Sequence, residues 1–211
     1  MYYNHKKFFS IILQGVVDAN YKFICIDVGA YGKQSDSGVF GHSQLARALE
    51  RGALKTNTLK ILPGTDIEAP HVVIGDGGFP LKTYLLRPYP LRGLTTEQEN
   101  YNKRLSGARQ VVECAFGIIS HKWRILLKAI EVKPERAEHI VKRICLLHNI
   151  VINKEGPRDM IPGTSPLSLH WNTSHSSFPG RAINRGSHSS MQVRETFKMF
   201  FSRQGDIETT N

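Results

Sequence analysis

The chain is short of cysteine, and what it has is not paired. Cys25, Cys114 and Cys145 are odd in number, widely spaced and outside any CxxC pattern. That argues against a disulfide-stapled secreted scaffold and for reduced thiols, as in a cytosolic or nuclear protein. Long apolar runs are missing too. No stretch approaches 18 uninterrupted apolar residues, so none reads as a membrane span. The opening "MYYNHKKFFSIILQGVVDAN" imitates a signal peptide, with two lysines before an apolar run. Gln14 interrupts that run, Asp18 ends it and no small-x-small cleavage site follows, so it reads as a strand. Acidic residues are scarce: 18 Asp+Glu stand against 28 Lys+Arg, a net charge of +10. Anionic partners are favoured, nucleic acid above all. The surplus lies in the first part, because residues 154–211 hold only 7 of the basic and 5 of the acidic residues. There are no internal repeats. Length alone allows one domain with an appendage or two small ones.

What is present reads as ββ–α–β–β–α–α. Residues 7–18 and 21–29 are β-rich runs joined at "DAN", a hairpin signal. "SDSGVFGHSQLARALERG" predicts one helix, starting at Ser35 or Asp36 and ending at Gly52. Residues 53–70 read as a loop. "HVVIGDGGFP" reads as a short buried strand ending in a turn, and "TYLLRPY" as another short strand. Residues 95–121 carry the strongest helix signal. Thr95 with Gln98, and Thr96 with Glu99, fit a capping box. Leu105, Ala108, Val112, Ala115, Phe116 and Ile119 fall within about 100° of arc. A second helix over about 134–153 opens with Pro134 and carries Ala137, Ile140, Val141, Ile144, Leu147 and Ile150. Cys145 and His148 in "ICLLHNI" stand three apart, as metal ligands can, but no second pair accompanies them; helix packing is the simpler reading. Residues 154–190, rich in Ser, Gly, Pro and His, predict a disordered linker. Residues 191–211 form a tail in which "MQVRETFKMFFS" suits a short amphipathic helix.

Three carboxylates stand out. Asp76 ends a buried strand, where α/β sheets place functional groups, although a turn or cap Asp is the plainer reading. Glu113 sits at the flank of the apolar stripe, where an ion pair with Arg109 is the plainer reading. Asp36 begins a helix, where an N-terminal acid is ordinary. Were such carboxylates to converge, two charges about 4 Å apart would repel by roughly 4 kcal/mol at an effective dielectric near 20. A divalent cation with oxygen ligands, Mg²⁺ or Mn²⁺, removes that cost.

Four blocks, "YYNHKKFFSIILQGVVDANYKFICIDVGAYGKQSDSGVF", "VIGDGGFPLKTYLLRPY", "ENYNKRLSGARQVVECAFGIISHKWRIL" and "ICLLHNIVI", come in an order that resembles PIF/Harbinger-type transposases and the host nucleases derived from them. The resemblance covers about residues 2–153. It implies an RNase H-like α/β fold, a mixed sheet flanked by helices, and a DDE triad that binds divalent metal to cut DNA. It places the second triad Asp on Asp76, the Glu on Glu113 and an additional metal-associated Asp on Asp36. The first triad Asp belongs to an "IDGTH"-like strand that is not in the sequence, so the first, central strand of that sheet is expected to be lacking. The domain reading is therefore a partial endonuclease domain over 1–153, followed by the linker and the tail. Lys82, Arg87, Lys103, Arg104, Arg109, Lys122 and Arg124 become candidate phosphate contacts. DNA is the implied partner, with a separate Myb-like protein for recognition and nuclear entry, and the nucleus, with or without the cytoplasm, the implied location. The alternative is a catalytically dead remnant that acts as a DNA-binding or protein-interaction module.

Overall fold

A computed structural model describes residues 2–156 and 186–208 of the chain. They fall into two compact units, one of residues 2–39 and 110–156 and the other of residues 40–109 and 186–208. The class is mixed α/β. Among the described residues, strands pair only in twos: β1 (Ile11–Val17) with β2 (Phe23–Tyr31), β3 (Leu59–Ile61) with β4 (Glu68–Pro70), and β5 (Val73–Ile74) with β6 (Leu85–Leu86). The helices are α1 (Asp36–His42), α2 (Gln44–Glu50), α3 (Thr96–Lys122), α4 (Pro134–Glu155) and α5 (His188–Glu208). None is long and apolar enough to cross a membrane.

The first unit is built on the expected hairpin. The Asp18 carboxylate accepts from the backbone N–H of Asn20 at 2.8 Å and of Lys22 at 2.9 Å, and Tyr21 takes a positive φ of 63° between them. A side chain that satisfies turn amides in this way is what favours Asp at such a position. β1 and β2 then run antiparallel from Val17↔Phe23 to Ile11↔Tyr31. Phe23 and Val28 point into a core with Ala115 and Ile119 of α3 and with Val141, Ile144 and Cys145 of α4. Of the apolar residues assigned to α4's inner face, Leu147 and Ile150 are instead exposed, at 47% and 50%, while His148 is wholly buried. The true inner face runs through Ala137, Val141, Ile144, Cys145, His148 and Ile152, keeping i, i+4 and i+7 spacing with a histidine in line.

Two polar residues of α4 hold the turn end of β2. His148 Nε2 lies 2.7 Å from the carbonyl oxygen of Tyr21, and the Asn149 amide pairs with both backbone groups of Phe23, at 2.9 and 2.8 Å. Asn149→Ala would strip a partner from a donor and an acceptor at once. It is expected to cost about 2 kcal/mol, since each unsatisfied buried group costs about 1–3 kcal/mol. A urea titration that shows less than about 0.5 kcal/mol of change would remove Asn149 from the set of fold-determining residues.

In the second unit, the helix expected over residues 35–52 is broken at Ser43. Its Oγ accepts from Ala46 N–H at 3.0 Å and starts α2 afresh. The stretch 53–70, read as a loop, contains the β3–β4 pair. Phe40, Ala46, Leu49, Tyr84 and Leu85 form one cluster. Leu81, Leu86, Tyr89, Tyr101 and Leu105 form another, against which Val193, Phe197 and Phe201 of α5 pack at helical spacing. The tail helix is thus longer than its sequence signal. The linker expected over 154–190 lies outside the described residues for 157–185, and its ends belong to α4 and α5. Ala108, assigned to the inner stripe of α3, is exposed.

Candidate active site

The Asp76 turn is assembled from three short pieces of the second unit. β5 lies parallel to β6, with Val73 N–H donating to Tyr84 O and Gly75 N–H to Leu86 O, each at 2.8 Å. Gly75 is buried and its missing Cβ matters for packing, because a methyl there would stand 3.0 Å from the ring of Phe79. Directly afterwards Asp76, half-buried, folds its Oδ1 back onto the N–H of Gly78 at 2.7 Å. A Cβ on Gly77 would meet nothing within 4 Å. Packing therefore asks for glycine at Gly75, where the turn packs inward, but not at Gly77, where a side chain would stand in open space. A carboxylate offers about four acceptor positions, and the amide of Gly78 uses one.

Arg87 fixes the same turn. Its Nη1 donates to Phe79 O at 3.1 Å and to Gly77 O at 3.4 Å, bracketing the residues that follow Asp76. Burial, and secondarily the like charge of Arg194, lower the pKa of Arg87. Lys82 is less available than its sequence position suggests. It forms an ion pair with Glu50 at 3.0 Å, and Glu50 also accepts from the Tyr84 hydroxyl at 3.3 Å. Burial first and Glu50 second push the Tyr84 phenol up to about 12.

The remaining candidates are distributed as follows. Lys103, Arg104 and Arg109 follow one another along the part of α3 that belongs to the second unit; Lys103 is exposed and the two arginines are half-buried. Glu113, half-buried, belongs to the first unit. Beside it, burial and then the Glu113 charge raise the pKa of the Cys114 thiol, which disfavours thiolate chemistry there. Gly117, one turn on, is buried and its carbonyl accepts from Ser120 Oγ at 3.0 Å. Asp36 is exposed at the first position of α1, and its carbonyl accepts from the Gln14 amide at 2.7 Å. Lys122 pairs with Glu155 at 3.0 Å, and Arg124 opens a 3-10 turn over Arg124–Leu127. Asp36 and Glu113 thus share a unit, and Asp76 stands in the other. Among the described residues no group of three or more His, Cys, Asp or Glu side chains is arranged to hold a metal ion. In kind, however, the donors fit: Asp36, Asp76 and Glu113 are all hard oxygen ligands, and Mg²⁺ is commonly held by one or two carboxylates together with substrate phosphate.

Comparison with known proteins gives the decisive observation. Residues 1–149 match the family described as DDE superfamily endonuclease. The chain belongs to this endonuclease family. Asp36, Asp76 and Glu113 all lie inside the matched span of the DDE endonuclease, and α5 lies beyond it. The chain is 33% identical over 165 residues to "Protein ALP1-like" of Arabidopsis thaliana, covering 77% of this chain and 39% of that protein. It is 26% identical over 155 residues to "Putative nuclease HARBI1" of Mus musculus, covering 72% and 40%, and 26% identical over 169 residues to the Homo sapiens protein of the same name, covering 79% and 44%. This DDE endonuclease chain therefore spans about two-fifths of the length of these relatives. No solved structure gives a significant match.

Proposed function

We propose that the chain is part of a PIF/Harbinger-type, transposase-derived DNA endonuclease with an RNase H-like fold. Asp76 and Glu113 are its metal ligands, and Asp36 assists them. The observation that carries this reading is the Asp76 turn: a carboxylate within the family-matched span, at the end of a half-buried parallel strand, pinned by Arg87 and open at Gly77. A bound Mg²⁺ or Mn²⁺ would supply an activated water and charge stabilisation for the leaving oxygen of a phosphodiester. The chain's own groups do the rest. Asp76 presents a carboxylate held by Gly78 N–H, Gly77 lets a DNA backbone approach, and Arg87 stiffens the turn while offering positive charge. Lys103, Arg104, Arg109 and Arg124, with Lys82 and Lys122 where DNA displaces their carboxylates, contact backbone phosphates and position the duplex without reading its sequence. The "IDGTH"-type strand that bears the first Asp is not among the 211 residues, and the matched stretch covers only about two-fifths of each relative. We assign a nuclear location and a Myb-like partner on the same family resemblance.

A second reading, a remnant that binds DNA or protein without cutting, is favoured by one observation: no three-carboxylate group among the described residues. Nicking of supercoiled plasmid separates the two. The chain is expected to nick in Mn²⁺, and Asp76→Asn to fall to the level of buffer alone. Equal nicking by both, or none by either, would sink the catalytic assignment and leave the remnant.

A further inference from the structure

We propose that the loop leading into β1 is a stacking platform for single-stranded DNA: Tyr3, Phe8 and Phe9 take unpaired bases, and Lys6, Lys7 and Lys33 take the backbone. The platform lies in the first unit and goes beyond the endonuclease reading, because it requires neither a metal nor Asp76. Three large aromatic residues stand in the open here: Phe9 is 78% exposed, Phe8 52% and Tyr3 45%. Exposed apolar groups gathered in one place, unlike ones scattered singly, mark an interaction surface. Tyr3 pairs with Phe9 across an isolated antiparallel bridge, and their rings meet edge-to-face with centroids 5.3 Å apart. Such a pair keeps ring faces free, and every base has a π-face to lay on them whatever its identity. Lys6 and Lys7 form the bend between the two rings, and Lys33 follows β2. All three lysines are exposed, and among the described residues none of their ammonium groups has a hydrogen-bond or ion-pair partner.

The loop is held in shape by its own polar groups. Asn4 Oδ1 accepts from the N–H of Lys6 at 2.9 Å and of Phe8 at 3.3 Å, and the Asn4 amide donates to Ser10 Oγ at 2.8 Å. Lys7 takes a φ of 67°, a conformation that favours glycine. Ser10 N–H donates to Tyr2 O at 2.9 Å and Gly32 N–H to Ser10 O at 3.0 Å, which ties the loop to the end of β2. Rings fixed in advance lose little freedom on binding. Charge identifies the occupant. Residues 1–17 contain no Asp or Glu, so Lys6 and Lys7 have no carboxylate in their own segment. The acidic groups that reach this end belong to the side of Tyr2. Burial, then the charges of Tyr31, Glu135 and Glu138, raise the pKa of the Tyr2 phenol, whose ring packs edge-on against Tyr31 at 4.7 Å. Tyr2 alternates with Tyr3 along the chain and so points away from the Tyr3–Phe9 pair. Lysines beside uncovered rings suit a polyanion with unpaired bases. In a duplex the bases are stacked on one another, so only a single strand can use both features.

The test is binding of the full chain to an oligothymidylate of about 15 nucleotides, followed by fluorescence anisotropy over a series of KCl concentrations in EDTA. Phe9→Ala removes a ring that is mostly in solvent, so its melting temperature is expected to stay within about 3 °C of the parent. It should bind the oligonucleotide about tenfold more weakly with the salt dependence kept, because stacking releases no counterions. Phe9→Trp should restore the affinity. Lys6→Gln with Lys7→Gln should lower the slope of log K against log [KCl] by about 1.4, the loss of two single-strand phosphate contacts. On a duplex of the same length Phe9→Ala should match the parent. Parental affinity of Phe9→Ala for the single strand, or an equal loss on single strand and duplex, overturns the proposal. So does tighter binding of an oligouridylate, which would assign the surface to RNA. A parent that elutes as a dimer and a Phe9→Ala variant that elutes as a monomer would assign the rings to a contact between copies, and overturn it too. The readout needs no metal and no cleavage. Weakened single-strand binding by Phe9→Ala, alongside plasmid that neither the parent nor Asp76→Asn nicks, keeps the platform and discards the nuclease.

Discussion

Tyr101→Ala is expected to destabilise the second unit by about 3–5 kcal/mol, the range for removing a large buried aromatic side chain. Tyr101 is 0% exposed at the centre of the cluster formed by Leu81, Leu86, Tyr89 and Leu105. Its ring stands edge-on to Tyr89, with centroids 5.2 Å apart, and tilted towards Phe201 of α5 at 6.0 Å. Its hydroxyl reaches the carbonyl of Arg87 at 3.4 Å. Truncation therefore opens a cavity under α5 and removes a support behind the arginine that pins the Asp76 turn. The loss should appear as a lower urea midpoint and, in DNA binding, as a weaker dependence on Arg87. A change below about 1 kcal/mol would mean that the cluster closes over the vacancy, as loosely packed sites can. Tyr101→Phe separates the two roles, since it keeps the ring and loses only the long hydrogen bond.

The second large effect is a loss of stability in acid that one residue accounts for. His148 is wholly buried between Phe23 and Trp123, with ring centroids at 5.3 and 6.2 Å, and Nε2 pairs with Tyr21 O. Burial is the largest influence and lowers its pKa; the Tyr21 carbonyl works in the opposite direction, and Lys122 adds a smaller lowering. The neutral ring, donating from Nε2, is thus the folded form. Because the folded pKa lies below the unfolded value near 6.5, the unfolded chain takes up the proton first on acidification. The contribution of His148 is fully present above about pH 6.5 and is lost as pH falls from there through the lowered folded pKa. Melting temperatures measured from pH 7.5 down to 5 should fall over that window. In His148→Gln, which retains a donor for Tyr21 O, the fall should flatten. His148→Ala should cost roughly 2–4 kcal/mol at neutral pH, from the lost hydrogen bond and the cavity together. A parental acid limb that persists in His148→Gln would assign the titration to other groups.

These two residues also mark the boundary of what the primary structure discloses. Long periodic elements were legible: the Asp18 turn, α3 and α4 stand where apolar spacing and caps put them. The Thr95 capping box is made as written, Thr95 N–H donating to Gln98 Oε1 at 3.1 Å and Gln98 N–H to Thr95 Oγ1 at 3.4 Å. Strands of two or three residues, as in β3 to β6, are too short to show a period of two, so β3 and β4 passed for loop. Ser43 looks like one more polar helix residue until its hydroxyl is seen to cap α2. The carboxylate at Asp76 could be picked out from the strand-then-glycine pattern, but not that only Gly75 of the neighbouring glycines packs against the Phe79 ring. Charge counts also mislead locally, since Lys82 and Lys122 are engaged by Glu50 and Glu155 through contacts between residues more than 30 apart. The stack of Arg194 on Tyr89 gave no signal at all, because it depends on where α5 packs.

The placement of α5 constrains how the protein can be made. Residues 40–109 leave the ribosome early, yet their core includes Val193, Phe197 and Phe201, and Tyr89 and Asn100 bond to Glu195 and to the carbonyl of Phe201 about a hundred residues later. During synthesis at about 5–20 residues per second, Leu81, Leu86 and Tyr101 wait several seconds without the helix that finally covers them. A nascent chain in that interval presents an apolar surface of the kind that holding chaperones recognise, and the arginine stack at Tyr89 can form only after Arg194 has been translated.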